Sequence, residues 1–356
     1  MKNLKKEFPH TLNYVHLNTA GSGLLSETVL DFRQNHDLDY LVLGSVLKED
    51  QGNFLDKVRE DVAQFFYHTP QYTSLQPSFS IGFNTILDAF DSKTSFLLLE
   101  EDYPSINWPV EQRGFEVYYA GIDAFLEDNI AQAVEKHKPD VLCLSLIQYL
   151  NGIRIDFDFL KSLKQENPEL MIIADGTQYL GIEDFNFAES GIDILGASAY
   201  KWLNAGYGNG FFLFKPHIEE ILKPKSLGFG SDKGKYKSAD FNLLSRMEPG
   251  HLDTFNFGSL QAAIHLVRKI GYSTIEEQIQ KLQKLAFEAF AERNLLQDNV
   301  LKREIHGPFF NIKGDQKLFD RLKANDVLCT QRGTGIRVSF HYFNTESDLR
   351  TLLKLI

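Results

Sequence analysis

The chain has 356 residues, of which 43% are hydrophobic and 24% charged, with a formal net charge of −11. That length predicts one large and one smaller domain, and an acidic balance without a basic stripe excludes a nucleic-acid footprint. Two cysteines, Cys143 and Cys329, exclude a disulfide framework or a C-x-x-C metal site, and no run of about 20 apolar residues is present to span a bilayer. The opening MKNLKKEFPH has no apolar segment after its lysines, so no secretory signal, no membrane partner and a cytoplasmic location are expected.

In chain order, Tyr14–Ser26 is a short apolar stretch broken at Gly21 and Gly23, with Ser26 placed to cap a helix. Residues 53–66 carry apolar side chains at helical spacing and predict a surface helix. In QPSFSIGFNTILDAF, Ser78, Phe79 and Ser80 precede a helix expected from about Ile81. Such a terminus is either a plain cap or a phosphate cradle of free amides and hydroxyls. Strands are predicted over 96–100, 115–119, 140–146 and 170–175, with helices over 124–138 and 157–165. This alternation implies a largely parallel sheet flanked by helices, with ligands bound beyond the strands' carboxyl ends. Three such ends carry unusual residues: Tyr103 and Trp108 in an acidic, aromatic loop, then Gln148, Tyr149 and Asn151, then Asp175 and Gln178 in ADGTQ. Asp175 closes an apolar run, so its carboxylate needs a cationic partner.

ILGASAYKWLNAGYGNGFFLF (194–214) reads as strand, exposed turn, glycine-rich loop and strand, with Lys201 between Tyr200 and Trp202 at the tip. A lysine there is either a solvated turn residue or an amine that has lost its hydration, and the neutral amine attacks carbonyls. Residues 216–251 look like an exposed excursion toward the second domain. A helix over 258–270 follows, then Ser273-x-x-Glu276 as a capping box for a helix reaching about Leu296. Strands over 309–312, 327–330 and 335–340 and a helix from Thr345 complete an α+β unit. Arg337 sits inside the last strand, where its charge must either pair with an internal acid or face a cleft. Arg332 either reads a second carboxylate or lies on the surface.

A lysine amine, an upstream strand-end carboxylate, a helix terminus suited to phosphate, flat aromatics and a carboxylate-reading arginine together match what pyridoxal phosphate requires. In ADGTQ, SAYKW and IRVSFHYFNT the chain resembles the class V aminotransferases of the fold-type I pyridoxal phosphate enzymes, and the resemblance runs from HLNTAGSGLLS to HYFNTESDL. It implies an α/β fold with a mainly parallel mixed sheet: a large cofactor domain over 17–257, and a small α+β domain over 258–356 joined by residues 1–16. It implies that Lys201 forms the Schiff base, Asp175 partners the pyridine nitrogen and Gln178 donates to the ring hydroxyl. Ser198 and Tyr200 would reach the phosphate with Ser78, Phe79 and Ser80, while Tyr103 would stack on the ring and Arg337 would bind the substrate carboxylate. MEPGHLDTF, with His251 where the family has threonine, resembles the segment lent to the neighbouring subunit, so a homodimer with sites at its interface is expected. The activity expected is transamination between a small amino acid and a keto acid. Epimerisation or lyase chemistry of the isopenicillin N epimerase or kynureninase kind is the alternative, and a non-catalytic ligand sensor a more distant one. Desulfurase chemistry is disfavoured because its only candidate nucleophile, Cys329, falls within a predicted strand.

Overall fold

The computed structural model describes residues 4–356. The first three residues of the 1–16 segment lie outside the described residues. In chain order the strands are β1 (Val15–His16), β2 (Thr73–Gln76), β3 (Ser95–Leu99), β4 (Glu116–Ala120), β5 (Val141–Ser145), β6 (Met171–Asp175), β7 (Ile194–Ser198), β8 (Gly210–Phe214), β9 (Phe309–Lys313), β10 (Val327–Leu328), β11 (Thr330–Arg332) and β12 (Gly335–Ser339). The main sheet has the order β2-β8-β7-β6-β5-β3-β4. Its strands β3 to β7 run parallel, whereas β8 is antiparallel to both β7 and β2.

Both faces of this sheet are apolar, because successive side chains alternate between them. Phe96, Leu98, Cys143, Ile173 and Phe212 pack on one side with the helices Phe79–Leu87 and Pro104–Glu111. Leu97, Leu99, Leu142, Leu144, Ile172 and Leu213 point to the other, beneath helices that include Gln51–Phe65, Leu126–His137, Phe157–Glu166 and Thr254–Ile270. A second, three-stranded antiparallel sheet, β11-β12-β9, is flanked by the helices Tyr272–Glu292, Gln316–Ala324 and Glu346–Leu355.

The N-terminal segment joins the two sheets' surroundings. β1 pairs in parallel with β10, and the Ser339 amide donates to the Leu17 carbonyl at 2.9 Å. Farther along, the Gly23 amide donates to the Tyr200 carbonyl at 3.0 Å. A side chain at Gly23 would run into the Lys201 carbonyl, so glycine is what permits this approach.

Several sequence expectations are corrected. The acidic, aromatic loop after β3 is largely a helix, Pro104–Glu111, with Pro104 at its first turn. The helix expected from Ile81 begins at Phe79, because Ser78 rather than Ser80 supplies the cap to the Ile81 amide at 3.3 Å. Ser273 caps nothing: Gly271 at φ 91 turns the chain between two helices and leaves Ser273 already inside the second. The strand expected over 327–330 is split, so Cys329 lies between β10 and β11. The turn at Lys201 is buried, not exposed, since Lys201, Trp202 and Leu203 are covered by the N-terminal segment and the residues after β12. The 216–251 stretch is not a free excursion either. Its Glu248 is wholly buried, accepting from Arg59 Nη1 at 2.6 Å and Nη2 at 2.9 Å and from the Leu75 amide at 2.7 Å.

Candidate active site

The parallel strands deliver their carboxyl ends to one place. Asp175 ends β6 in register with Ser145 of β5 and Gly196 of β7. Its carboxylate accepts from the Thr177 amide at 2.8 Å, and no cation of the described residues forms an ion pair with it. Burial pushes the Asp175 carboxyl up, against the opposing pull of Thr177 and of the Lys201 charge.

Lys201 stands three residues beyond β7. The chain returns to β8 through Asn204, Gly206 and Gly208, all at positive φ, which is why this turn is rich in glycine and asparagine. Asn204 Oδ1 accepts from the Leu24 amide at 2.9 Å, and His341 Nε2 lies 2.9 Å from the Trp202 carbonyl, so the loop is fixed from two sides. Only 5% of Lys201 is exposed. Burial pushes its ammonium down, Asp175 works against that, and Arg337 and Arg332 lower it further. Its Nζ lies 5.5 Å from the centre of the Tyr103 ring and 5.7 Å from that of Tyr200.

The phosphate-type terminus is adjacent. The Phe79 amide donates to Ser198 Oγ at 2.9 Å, the Ser198 amide to Thr177 Oγ1 at 3.0 Å, and Ser80 Oγ to Ser105 Oγ at 2.8 Å. Ser198 and Ser78 take the Phe79 and Ile81 amides of the first turn, and the positive end of the helix faces the same space. Gln178 is braced by two neighbours, donating to the Ala20 carbonyl and accepting from Trp202 Nε1, each at 2.9 Å. One amide hydrogen remains for a ligand.

A cavity of about 230 Å³ is bounded by Ser78, Phe79, Ser80, Tyr103, Asp175, Gln178, Ser198, Tyr200 and Lys201, so every cofactor residue expected from the sequence lines one space. Arg337 is not in its wall. It lies behind Tyr149, donating through Nη1 to the Tyr149 carbonyl at 2.6 Å. It is 3% exposed, its Nε has no partner, and no carboxylate of the described residues pairs with it. The internal acid that the sequence left open is therefore absent from its surroundings. Arg332 is exposed at the tip of the small sheet, and His251 is exposed away from the cavity.

Sequence reasoning missed Ser145, Ile147, Thr177 and Tyr207, which also line the cavity. Thr177 lies within ADGTQ and Tyr207 within the glycine-rich turn, where it stacks on Tyr200 at 4.5 Å and donates to Ser22 Oγ at 3.0 Å. It also missed Asp102, fully buried, which accepts from the Tyr103 amide at 2.7 Å and the Ser145 amide at 2.8 Å and so ties the end of β3 to the end of β5.

A buried carboxylate without a cation, a buried amine and a serine-rich helix terminus form a donor set that fits pyridoxal phosphate: one counter-charge for a ring nitrogen, one nucleophile for an aldehyde, one anion site. The architecture and this cavity define a fold-type I, pyridoxal phosphate-dependent enzyme. The model of the class V aminotransferases matches residues 16–352, and the chain belongs to that family. It is 24% identical over 356 residues to the uncharacterized aminotransferase YcbU of Bacillus subtilis, covering 96% of this chain and 94% of that one. It is 24% identical over 208 residues to the isopenicillin N epimerase of Amycolatopsis lactamdurans, across 52% of each chain. Among solved structures, a variant of C-DES with glycine covalently linked to its pyridoxal phosphate superposes with a TM-score of 0.87 at 15% identity, covering 99% of this chain and 98% of that one.

Proposed function

We propose that the protein is a homodimeric aminotransferase for a small amino acid, with Lys201 as its catalytic amine. The observation that carries this is the pairing of a buried, easily neutralised Lys201 with an unpaired, buried Arg337 across Tyr149. When bound, pyridoxal phosphate supplies an aldehyde that amines capture and a ring that takes up the electrons released at Cα. Asp175 would hold a proton at the ring nitrogen, Gln178 would donate to the ring hydroxyl, and Tyr103 would cover one face. Ser78, Ser80, Ser198 and the amides of the helix terminus would hold the phosphate, with Phe79 and Tyr200 closing the walls around it. Arg337 would grip the substrate carboxylate by its planar fork. Lys201 Nζ, freed when the substrate amine replaces it, would remove the Cα proton and later return one. Burial keeps water from competing for these protons.

Assembly as a homodimer is supported by the apolar stretch at the end of the helix Glu27–Leu43 and beyond it, where Leu41 is 81% and Val42 72% exposed. Desulfurase chemistry is not supported. Burial pushes the Cys329 thiol up to about 11, which leaves little thiolate at neutral pH, and Cys143 is sealed within β5.

Adding amino acids to the holoenzyme and following the bound cofactor's absorbance tests the reaction type. Accumulation of the cofactor's amine form is the expected result. Its absence, with racemised or cleaved product, would replace transamination by the epimerase or lyase reading. Lys201→Ala should reduce turnover by about 10⁴-fold, and turnover at the wild-type rate would refute the assignment.

A further inference from the structure

Beyond the Lys201 cavity, and sharing Tyr149 with it, opens a vestibule of about 1010 Å³. One wall is a single face of the helix Pro104–Glu111, contributing Pro104, Asn107, Trp108 and Glu111 at helical spacing. Glu100 and Glu101, directly after β3, add two more carboxylates, and Glu101 holds a left-handed backbone at φ 55 that side-chain-bearing residues seldom adopt. Among the described residues no lysine, arginine or histidine lines the space, and none of the three glutamates has an ion-pair partner. Glu111 accepts only from Tyr119 Oη, at 2.6 Å.

One amide oxygen in this wall is left without a donor. Asn107 is 6% exposed, spends its NH₂ on the Leu99 carbonyl at 2.9 Å and leaves its Oδ1 without a partner, whereas Asn311 turns its Oδ1 toward Gly335 within the small sheet. A buried acceptor without a donor is costly and marks a place for a ligand's N–H groups. Trp108, 64% exposed, presents an indole face of the kind that attracts cations. Carboxylates, an orphan acceptor and an open aromatic ring all ask for the same thing: a positively charged hydrogen-bond donor.

We propose that the vestibule selects amino donors carrying a second, distal ammonium group, that is, diamino acids. This inference rests on the reading of the Lys201 cavity as the reaction site. The polarity of the two spaces then matches the substrate end to end. Lys201 in the cavity wall and Arg337 behind Tyr149 place positive charge at one end, for the reacting amine and the α-carboxylate, while Glu100, Glu101 and Glu111 provide the negative end for the far cation. A dicarboxylate donor would place its second charge against three like charges.

The test compares L-ornithine, L-norvaline (the same carbon chain without the amine) and L-glutamate on the holoenzyme, reading the half-saturating concentration from the bound cofactor's absorbance. Ornithine should act at about tenfold lower concentration than norvaline, and glutamate at a higher one than norvaline. In the triple variant Glu100→Gln, Glu101→Gln, Glu111→Gln the ornithine-to-norvaline ratio should fall toward unity. Because exposed charges are screened, it should also shrink in the wild type as salt rises beyond about 0.15 M. Equal or better use of norvaline or glutamate, a ratio that survives in the triple variant, or one indifferent to salt would overturn the proposal. So would the absence of any response to ornithine when borohydride reduction shows the cofactor fixed on Lys201. Calorimetric titration of the purified chain with ornithine and norvaline keeps the two readings separate: a missing adduct sinks the role of Lys201, while the heats still decide the vestibule.

Discussion

In the proposed reaction, Lys201 must be an ammonium poor enough in hydration to give up its proton, yet positioned well enough to use it. Burial does the first, and the clamp of Leu24, Asn204 and His341 on its loop does the second. With its folded-state value lowered to about 7, the amine becomes neutral as pH rises through neutrality rather than near 10.4. The rate at which the apoprotein captures pyridoxal phosphate, trapped by borohydride, should therefore climb through about pH 7 and level off. A midpoint in the ordinary lysine range would show that burial has no such effect. In the proposed role of Asp175, Asp175→Asn would remove the counter-charge for the ring nitrogen and should cost about 10²- to 10⁴-fold in kcat with the cofactor still bound, measured by turnover alongside absorbance. Asp175 and Lys201 were legible in the sequence because each is local, an acid closing an apolar strand and an amine between two others. The bracing of Gln178 by Ala20 and Trp202 was not, since it depends on chain ends meeting far from each other in sequence.

At the level of elements, strands were the readable part, because apolar runs in a two-sided sheet leave few alternatives. Helix ends were less so. Thr345 forms a full capping box with Asp348 as its helix begins, whereas the equally suggestive Ser273-x-x-Glu276 does nothing, since Gly271 had already started that helix. Replacing Thr345 by alanine should lower stability by about 1 kcal/mol, whereas Ser273→Ala should leave the denaturant midpoint nearly unchanged. The helix after Tyr103 was hidden by two prolines, Pro104 and Pro109, though the first is placed where a helix tolerates it. Arg59 and Glu248 join the Gln51–Phe65 helix to a segment that read as loose. Glu248→Ala should cost about 3–5 kcal/mol in equilibrium unfolding, because it strands a buried guanidinium.

Across the whole molecule, net charge and composition exclude more than they assign, and the reaction type lies in side chains that the fold does not dictate. The vestibule was legible only in part: Trp108, Gln148, Tyr149 and Asn151 stood out at strand ends, but its wall joins them to residues 297–334, far off in sequence. The expected homodimer has a direct check. Leu41→Asp with Val42→Asp should halve the mass seen by sedimentation if that stretch is the contact, and an unchanged mass would move the contact elsewhere.

The strap formed by residues 15–24 is hydrogen-bonded at one end to β10 and β12 and at the other to the Lys201 loop. Nicking it would thus loosen two distant parts of the molecule in one event. A protease cutting within this strap should abolish cofactor retention and expose the C-terminal module to digestion together, so a purification tag or fusion that strains the amino terminus risks inactivating an enzyme whose catalytic groups are all intact.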